Sequence, residues 1–244
     1  MGVSTSERAA SGGVVDHRVA GTRPALPRLR ALDGLRGLAV LAVLVYHFRP
    51  NWLPAGFLGV DLFFVLSGFL ITSLLLLERE RTGRIALGAF WARRARRLVP
   101  AVVFLVVVLA GYAAWFAEEG QRAKLRGDGI ATLGWVANWR FVLQGGSYAD
   151  RFTAPSPLRH AWSLAIEEQF YVLWPVLVIA IAALAARRRA STHRLLLVAC
   201  VLGTGVSVVV MRALFDPLRD PSRAYYGTDT RAHALLIGAA LAAA

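Results

Sequence analysis

The sequence predicts an all-α fold: a polytopic integral membrane helical bundle with six to seven hydrophobic segments. Three observations carry this. Apolar residues make up 57% of the 244 residues, with a mean hydropathy of +0.52, against roughly 45–50% apolar residues in ordinary soluble domains. The excess is gathered into long blocks rather than spread along the chain, as lipid-spanning helices require. The net charge of +13 is nearly all arginine, Lys124 being the only lysine. Those arginines cluster between the apolar blocks, where orientation by the positive-inside rule places them. That distribution speaks against nucleic-acid binding and for anionic headgroups or a polyanionic cofactor as partners. Cys200 stands alone in an apolar run, so no disulfide framework and no cysteine-based metal site is expected.

Taken in order, residues 1–29 are polar and rich in Ser, Gly, Arg and Pro. They lack the apolar core of a signal peptide and read as a disordered cytoplasmic tail. Residues 30–244 read as the membrane core. The first span covers about Leu35–Phe48, and Pro50 and Pro54 break the chain after it. The second covers Phe57–Leu77. Glu78–Arg97 is basic and reads in part as an interfacial helix. The third span covers Leu98–Ala117, and Glu118–Gly129 reads as a polar loop. Ile130–Gln144 is apolar enough to enter the membrane but short beside the about 20 apolar residues a span needs, and it contains Asn138 and Arg140; a full crossing would put "RRRASTHR" outside, against the positive-inside rule. A re-entrant or surface position at the outer face is expected for it. "RRRASTHR" (Arg187–Arg194) then falls on the cytoplasmic side with Met1–Arg30 and Glu78–Arg97. Gly145–Pro157 is a turn-rich loop. A long helix over Leu158–Ala186, a span over Leu195–Phe215 and a last apolar helix over Thr230–Ala244 complete the pattern.

Several polar side chains sit inside or at the ends of these spans, where ionisable groups are costly and often functional. Arg36 and His47 are eleven residues apart. At about 100° and 1.5 Å per residue they share one helix face, separated by roughly 16 Å. Each alone reads equally well as an interfacial residue, the arginine snorkelling and the histidine bonded to a carbonyl. Asp61 lies in the second span and needs an Arg, a His or water as partner. Arg94 and Arg97 point the same way on a helix, and paired guanidinium groups suit phosphate; from charge alone, anchoring before the third span is the better reading. His160, Ser163, Glu167 and Tyr171 follow at i, i+3, i+7 and i+11, one stripe of a helix. A packing seam between helices is the alternative. Glu168 and Gln169 leave that stripe and are expected to face water, while Trp162 and Trp174 suit membrane interfaces. Asp229 and Arg231 stand at the mouth of the last helix, as a capping carboxylate and an interfacial arginine would. Gly68 suits close helix packing.

Five of these stretches, in this order, resemble the acyltransferase-3 family of bacterial membrane O-acyltransferases: Arg36 with His47, "GVDLFFVLSGFLI", the Arg94/Arg97 pair in "RRARRLVP", "HAWSLAIEEQFY" and "TDTRAHALLIG". The resemblance implies transfer of an acyl group, often acetyl, from acyl-CoA at the cytoplasmic side of the bacterial inner membrane. The acceptor it implies is a hydroxyl of an extracytoplasmic glycan or lipid-linked sugar. It implies that His47 is catalytic with Arg36 in the same motif, that Arg94 and Arg97 hold the CoA phosphates, and that Glu167 is the motif carboxylate. No metal is expected. His47 then acts as general base or as an acyl-carrying nucleophile, with Glu167 or Asp61 orienting its ring. Family domains have more spans than this chain, so an incomplete C-terminus is expected. The competing readings are a transporter-like or non-catalytic bundle, with no need for an acyl-CoA site, and an inactive truncated acyltransferase.

Overall fold

The computed structural model describes residues 30–144, 156–216, 218 and 220–244; the tail, residues 1–29, and most of the loop before Pro157 lie outside them. The described chain forms α1 (Arg30–Phe48), a short 3-10 turn (Pro54–Leu58), α2 (Gly59–Thr82), α3 (Leu87–Phe116), α4 (Glu119–Leu133), α5 (Ala137–Gln144), α6 (Ala161–Arg187), α7 (Thr192–Leu214), α8 (Ser222–Tyr226) and α9 (Thr228–Ala243). Among the described residues five segments are long and apolar enough to cross a membrane: Ala31–Phe48, Pro54–Thr82, Leu87–Phe116, Ala161–Arg187 and Thr192–Leu214. The chain is a multi-pass helical membrane bundle.

The running directions follow from which residues meet. Phe64 packs edge-on against Trp162, Ser67 donates to Glu167, and the Trp174 indole donates to Thr72. Both numbers rise together, so α2 and α6 are parallel. α7 runs against them: Thr192, at its start, accepts a hydrogen bond from Arg79 near the end of α2. α9 returns parallel to α2, with Asp61 opposite Arg231 and Ile71 and Leu75 clustered with Ala239 and Ala243. Its crossing with α2 is close. A Cβ at Gly68 would strike the Leu235 carbonyl, and one at Gly238 the Val65 carbonyl. Small residues are what such a backbone approach demands.

Two expected elements differ. Glu118–Gly129 is helical, as α4, rather than a loop. Asp128 is fully buried in it and ion-pairs with Arg140 of α5 at 2.7 Å, while Leu125 packs with Ala113 and Ala117 at the end of α3. Tertiary pairing outweighs the polar composition here. The basic stretch through Arg97 forms no separate interfacial helix; it continues without a break into α3, which runs on through Pro100. α4 ends in a Schellman arrangement, with Val136 N–H donating to the Ala131 carbonyl and Trp135 N–H to that of Thr132. Trp135 takes the left-handed conformation, φ 58°, and its carbonyl accepts from Gln169. Residues 130–144 are thus split between two short helices.

Candidate active site

His47 lies in the last turn of α1, exposed. Its Nδ1 donates to the Val43 carbonyl at 2.8 Å, an i−4 bond available to a ring at the end of a helix. In that tautomer Nε2 carries the ring's lone pair, with no hydrogen bond to it among the described residues. The His160 ring, at the entry to α6, faces it with centroids 4.9 Å apart and planes at 68°. His160 stands just outside the span. Partial burial lowers its affinity for a proton, and the neighbouring His47 and Arg159 lower it further. At the same end, Arg231 holds Asp61 at 3.0 Å, donates through Nε to the Tyr225 carbonyl and lies over the Tyr225 and Trp162 rings. Asp229 is forked by Arg223 at 2.8 and 2.6 Å.

A second tier of polar groups lies deeper. Tyr171 follows His160 by eleven residues, about 16 Å along α6, the same spacing that separates Arg36 from His47. Glu167 is 7% exposed and accepts a 2.7 Å bond from Ser67, a partner that a buried carboxylate needs. Arg36, Arg94 and Glu168 lie close enough to act on it electrostatically. Arg94 spreads over the Tyr171 ring at 4.3 Å, and Tyr171 is fixed by Trp91, whose indole donates to its carbonyl. Arg36 lies over Phe63 at 5.2 Å. Arg36 Nε and Glu168 Oε1 are buried without a hydrogen-bond partner among the described residues.

Two cavities meet this tier. One, of about 260 Å³, lies between α1, α2 and α6 and is lined by Ala39, Val43, Phe63, Ser163 and Glu167 among others. It occupies the interval between Arg36 and His47. The other, of about 490 Å³, opens beside α3 and is lined by Glu78, Phe90, Arg93, Arg94 and Arg97. Three guanidinium groups against one carboxylate make it an anion-attracting mouth.

The structure thus gathers His47 with His160, Glu167 and Tyr171 with Arg94, and Arg94 with Arg97. It joins neither Glu167 nor Asp61 to His47 by a hydrogen bond; Glu167 is engaged by Ser67 and Asp61 by Arg231. Ser163 donates within its own helix, to the His160 carbonyl at 3.3 Å. Asp229 and Arg231 do not pair with each other. Glu168 is buried rather than facing water. Gln169 is a clamp, donating to Trp135 and Asn138 and accepting from Thr228. Trp162 and Trp174 are buried core residues rather than interface markers, because their ring edges find partners on α2. Arg223 and Ser67 are the contributors that sequence reasoning missed or left open. Ser67 depends on a partner a hundred residues away, for which no local signal exists, whereas Arg223 pairs with Asp229 only six residues on.

A multi-pass helical bundle with a histidine at one end, a buried carboxylate seam and an arginine-lined mouth has the layout of a membrane group-transfer protein. The chain belongs to the acyltransferase-3 family, whose acyltransferase-domain model matches residues 29–219. It is similar to "Peptidoglycan O-acetyltransferase OatA" of Listeria monocytogenes, with 47% identity over 222 residues, covering 91% of this chain and 35% of that protein. It is also similar to "Putative peptidoglycan O-acetyltransferase YrhL" of Bacillus subtilis, with 47% identity over 212 residues, 86% of this chain and 32% of that one. The chain spans about a third of the length of these curated relatives. No solved structure matches it.

Proposed function

We propose that this chain is the membrane core of an O-acetyltransferase that carries an acetyl group from acyl-CoA, acetyl-CoA in the first instance, to a hydroxyl of an extracytoplasmic glycan. The relatives' names favour peptidoglycan as that glycan. In this reading the chain lies in the bacterial inner membrane with its N-terminus cytoplasmic, following the positive-inside rule. What carries the reading is one arrangement: a histidine nitrogen with its lone pair about 16 Å along the bundle from an arginine-lined mouth, with a cavity between the two levels.

In that reading Arg94 and Arg97 receive the CoA phosphates by charge-assisted hydrogen bonds, and the acyl arm enters the cavity beside Ser163 and Glu167. His47 Nε2 takes the proton of the acceptor hydroxyl. The hydroxyl oxygen forms its bond to the thioester carbonyl carbon, the C–S bond breaks, and the thiolate takes the proton back from the imidazolium. Glu167, with Arg36 and Arg94 about it, balances charge in the seam rather than touching His47. The Val43 carbonyl holds Nδ1 of the imidazole.

The test uses purified protein with acetyl-CoA and soluble peptidoglycan strands. His47→Ala is expected to lower kcat by about 10²–10⁴-fold, the usual worth of general acid–base catalysis, at unchanged acetyl-CoA affinity. Arg94→Ala with Arg97→Ala is expected to weaken acetyl-CoA binding by calorimetry. Full transfer by the first variant, or unchanged affinity in the second, contradicts the proposal. A transporter-like bundle predicts both.

A further inference from the structure

We propose that His160 is a positioning residue for His47, holding its imidazole edge-on in a pair that turns over only while His160 is uncharged. The inference rests on the reading of His47 as the base.

The geometry supplies the first half. His160 occupies the N-cap position of α6, yet its side chain makes no capping bond. Polar side chains at this position ordinarily satisfy a free backbone N–H. Here the imidazole turns away from the helix to the ring of His47, 4.9 Å off and steeply inclined. Tyr46 closes a second side, its ring perpendicular to His47 at 5.8 Å, and is itself backed by Phe57. With Nδ1 held by the Val43 carbonyl, the His47 ring is fixed by contacts to three groups. Removing one of them frees a rotation about the Cβ–Cγ bond, and misaligned catalytic groups are costly to rate.

Charge supplies the second half. His47 becomes cationic when it accepts the hydroxyl proton. A neutral imidazole about 5 Å away tolerates that charge, and a protonated one opposes it. Among the described residues, the charged groups packed about the two rings do not compensate. Just after α1, Arg49 lies over Trp52. From the entry to α6, Arg159 adds positive charge beside His160. From α2 and α9, Asp61 is already held by Arg231. From α8 and α9, Arg223 is neutralised by Asp229. The partial burial of His160 acts in the required direction, keeping the ring neutral to lower pH than a free histidine.

The test measures steady-state transfer in proteoliposomes with acetyl-CoA as donor and soluble peptidoglycan strands as acceptor. His160→Gln is expected to lower kcat by about tenfold, with KM for acetyl-CoA unchanged. His160→Lys, which fixes a cation there, is expected to abolish measurable turnover. In the parent protein the acid limb of log kcat/KM against pH steepens toward a slope of two, because protonation of either ring stops turnover. In His160→Gln the limb keeps a slope of one. That slope comparison stands even if His160→Lys does not fold. A slope of one in both proteins, or equal kcat for folded Gln and Lys variants, overturns the proposal and leaves a merely structural histidine. His47→Ala runs in the same preparation. Full activity there overturns the base reading itself, whereas dependence on His47 with a charge-blind position 160 overturns this inference alone.

Discussion

The Asp61–Arg231 pair offers a quantitative test of which carboxylates at the His47 end are structural. The side chains are 22% and 12% exposed and meet at 3.0 Å. Breaking a fully buried pair costs about 3–5 kcal/mol because a charge is stranded, and exposed pairs are worth about 0–1 kcal/mol. Partial exposure places Asp61→Asn near 2 kcal/mol. Arg231→Gln costs more, about 3 kcal/mol, since it also removes stacking over Tyr225 and Trp162, each worth about 0.5–1 kcal/mol. The double variant strands no charge and should lose about 3 kcal/mol rather than the sum, a coupling near 2 kcal/mol. At roughly 2–4 °C per kcal/mol for a chain of this size, Arg231→Gln lowers Tm by about 6–12 °C and the double variant by no more. Thermal unfolding in detergent, followed by tryptophan fluorescence, reads all three. Additive losses within about 0.5 kcal/mol, the behaviour of independent sites, refute the argument. Acetyl transfer by the stable double variant would remove Asp61 from the catalytic candidates.

Two further outcomes follow from the packing. Gly68→Ala is expected to destabilise by about 1–3 kcal/mol, the range for overpacking, because its methyl meets the Leu235 carbonyl. Gly37→Ala, with nothing within 4 Å of a Cβ, should be neutral or stabilising by up to about 1 kcal/mol; equal Tm values for the two would contradict the close α2–α9 crossing. In a Cys200→Ala background, a cysteine at exposed Asn51 should react with an impermeant thiol reagent added to intact cells. One at exposed Ala190 should react only after the membrane is opened, and labelling of Ala190→Cys from outside would reverse the assigned orientation.

The spans were legible because hydropathy and length report directly on the lipid environment, so α1, α2, α6 and α7 fall within a few residues of expectation. α4 was not legible. Glu119–Asp128 reads as solvent-facing until Asp128 is seen buried against Arg140, twelve residues on. Gln169 and Glu168 failed for a related reason. Helical periodicity assigns a residue to a face but does not say what that face meets: Gln169 meets Asn138 of α5 and Thr228 of α9, and Glu168 is buried with Arg94 of α3 as its neighbouring charge. Asp61 illustrates the reverse: the need for a partner was legible from its place in a span, but not that Arg231, 170 residues away, would supply it.

The parallel course of α2 and α6 constrains more than their contact. Successive spans alternate in direction, so two parallel ones are separated by an odd number of crossings. α3 supplies one. α4 and α5 therefore belong to the end that carries His47. The chain keeps them there by local means: the left-handed turn at Trp135, the Asp128–Arg140 pair and the Gln169 clamp. The same constraint brings the segment after α6 back to the end of α2, where His193 meets Glu80 at 3.0 Å. Arg79 and Arg187–Arg194 thus share one end, and Arg97 lies toward it on α3. A seam entered from that end through Arg97 and Arg94 reaches Tyr171 and Glu167 before it reaches His160 and His47. Had residues 130–144 crossed, α6 would run antiparallel to α2, and the hydrogen bonds of Glu167 to Ser67 and of Trp174 to Thr72 would not both form. The polar seam and the short, broken α4–α5 segment are consequences of one topological fact.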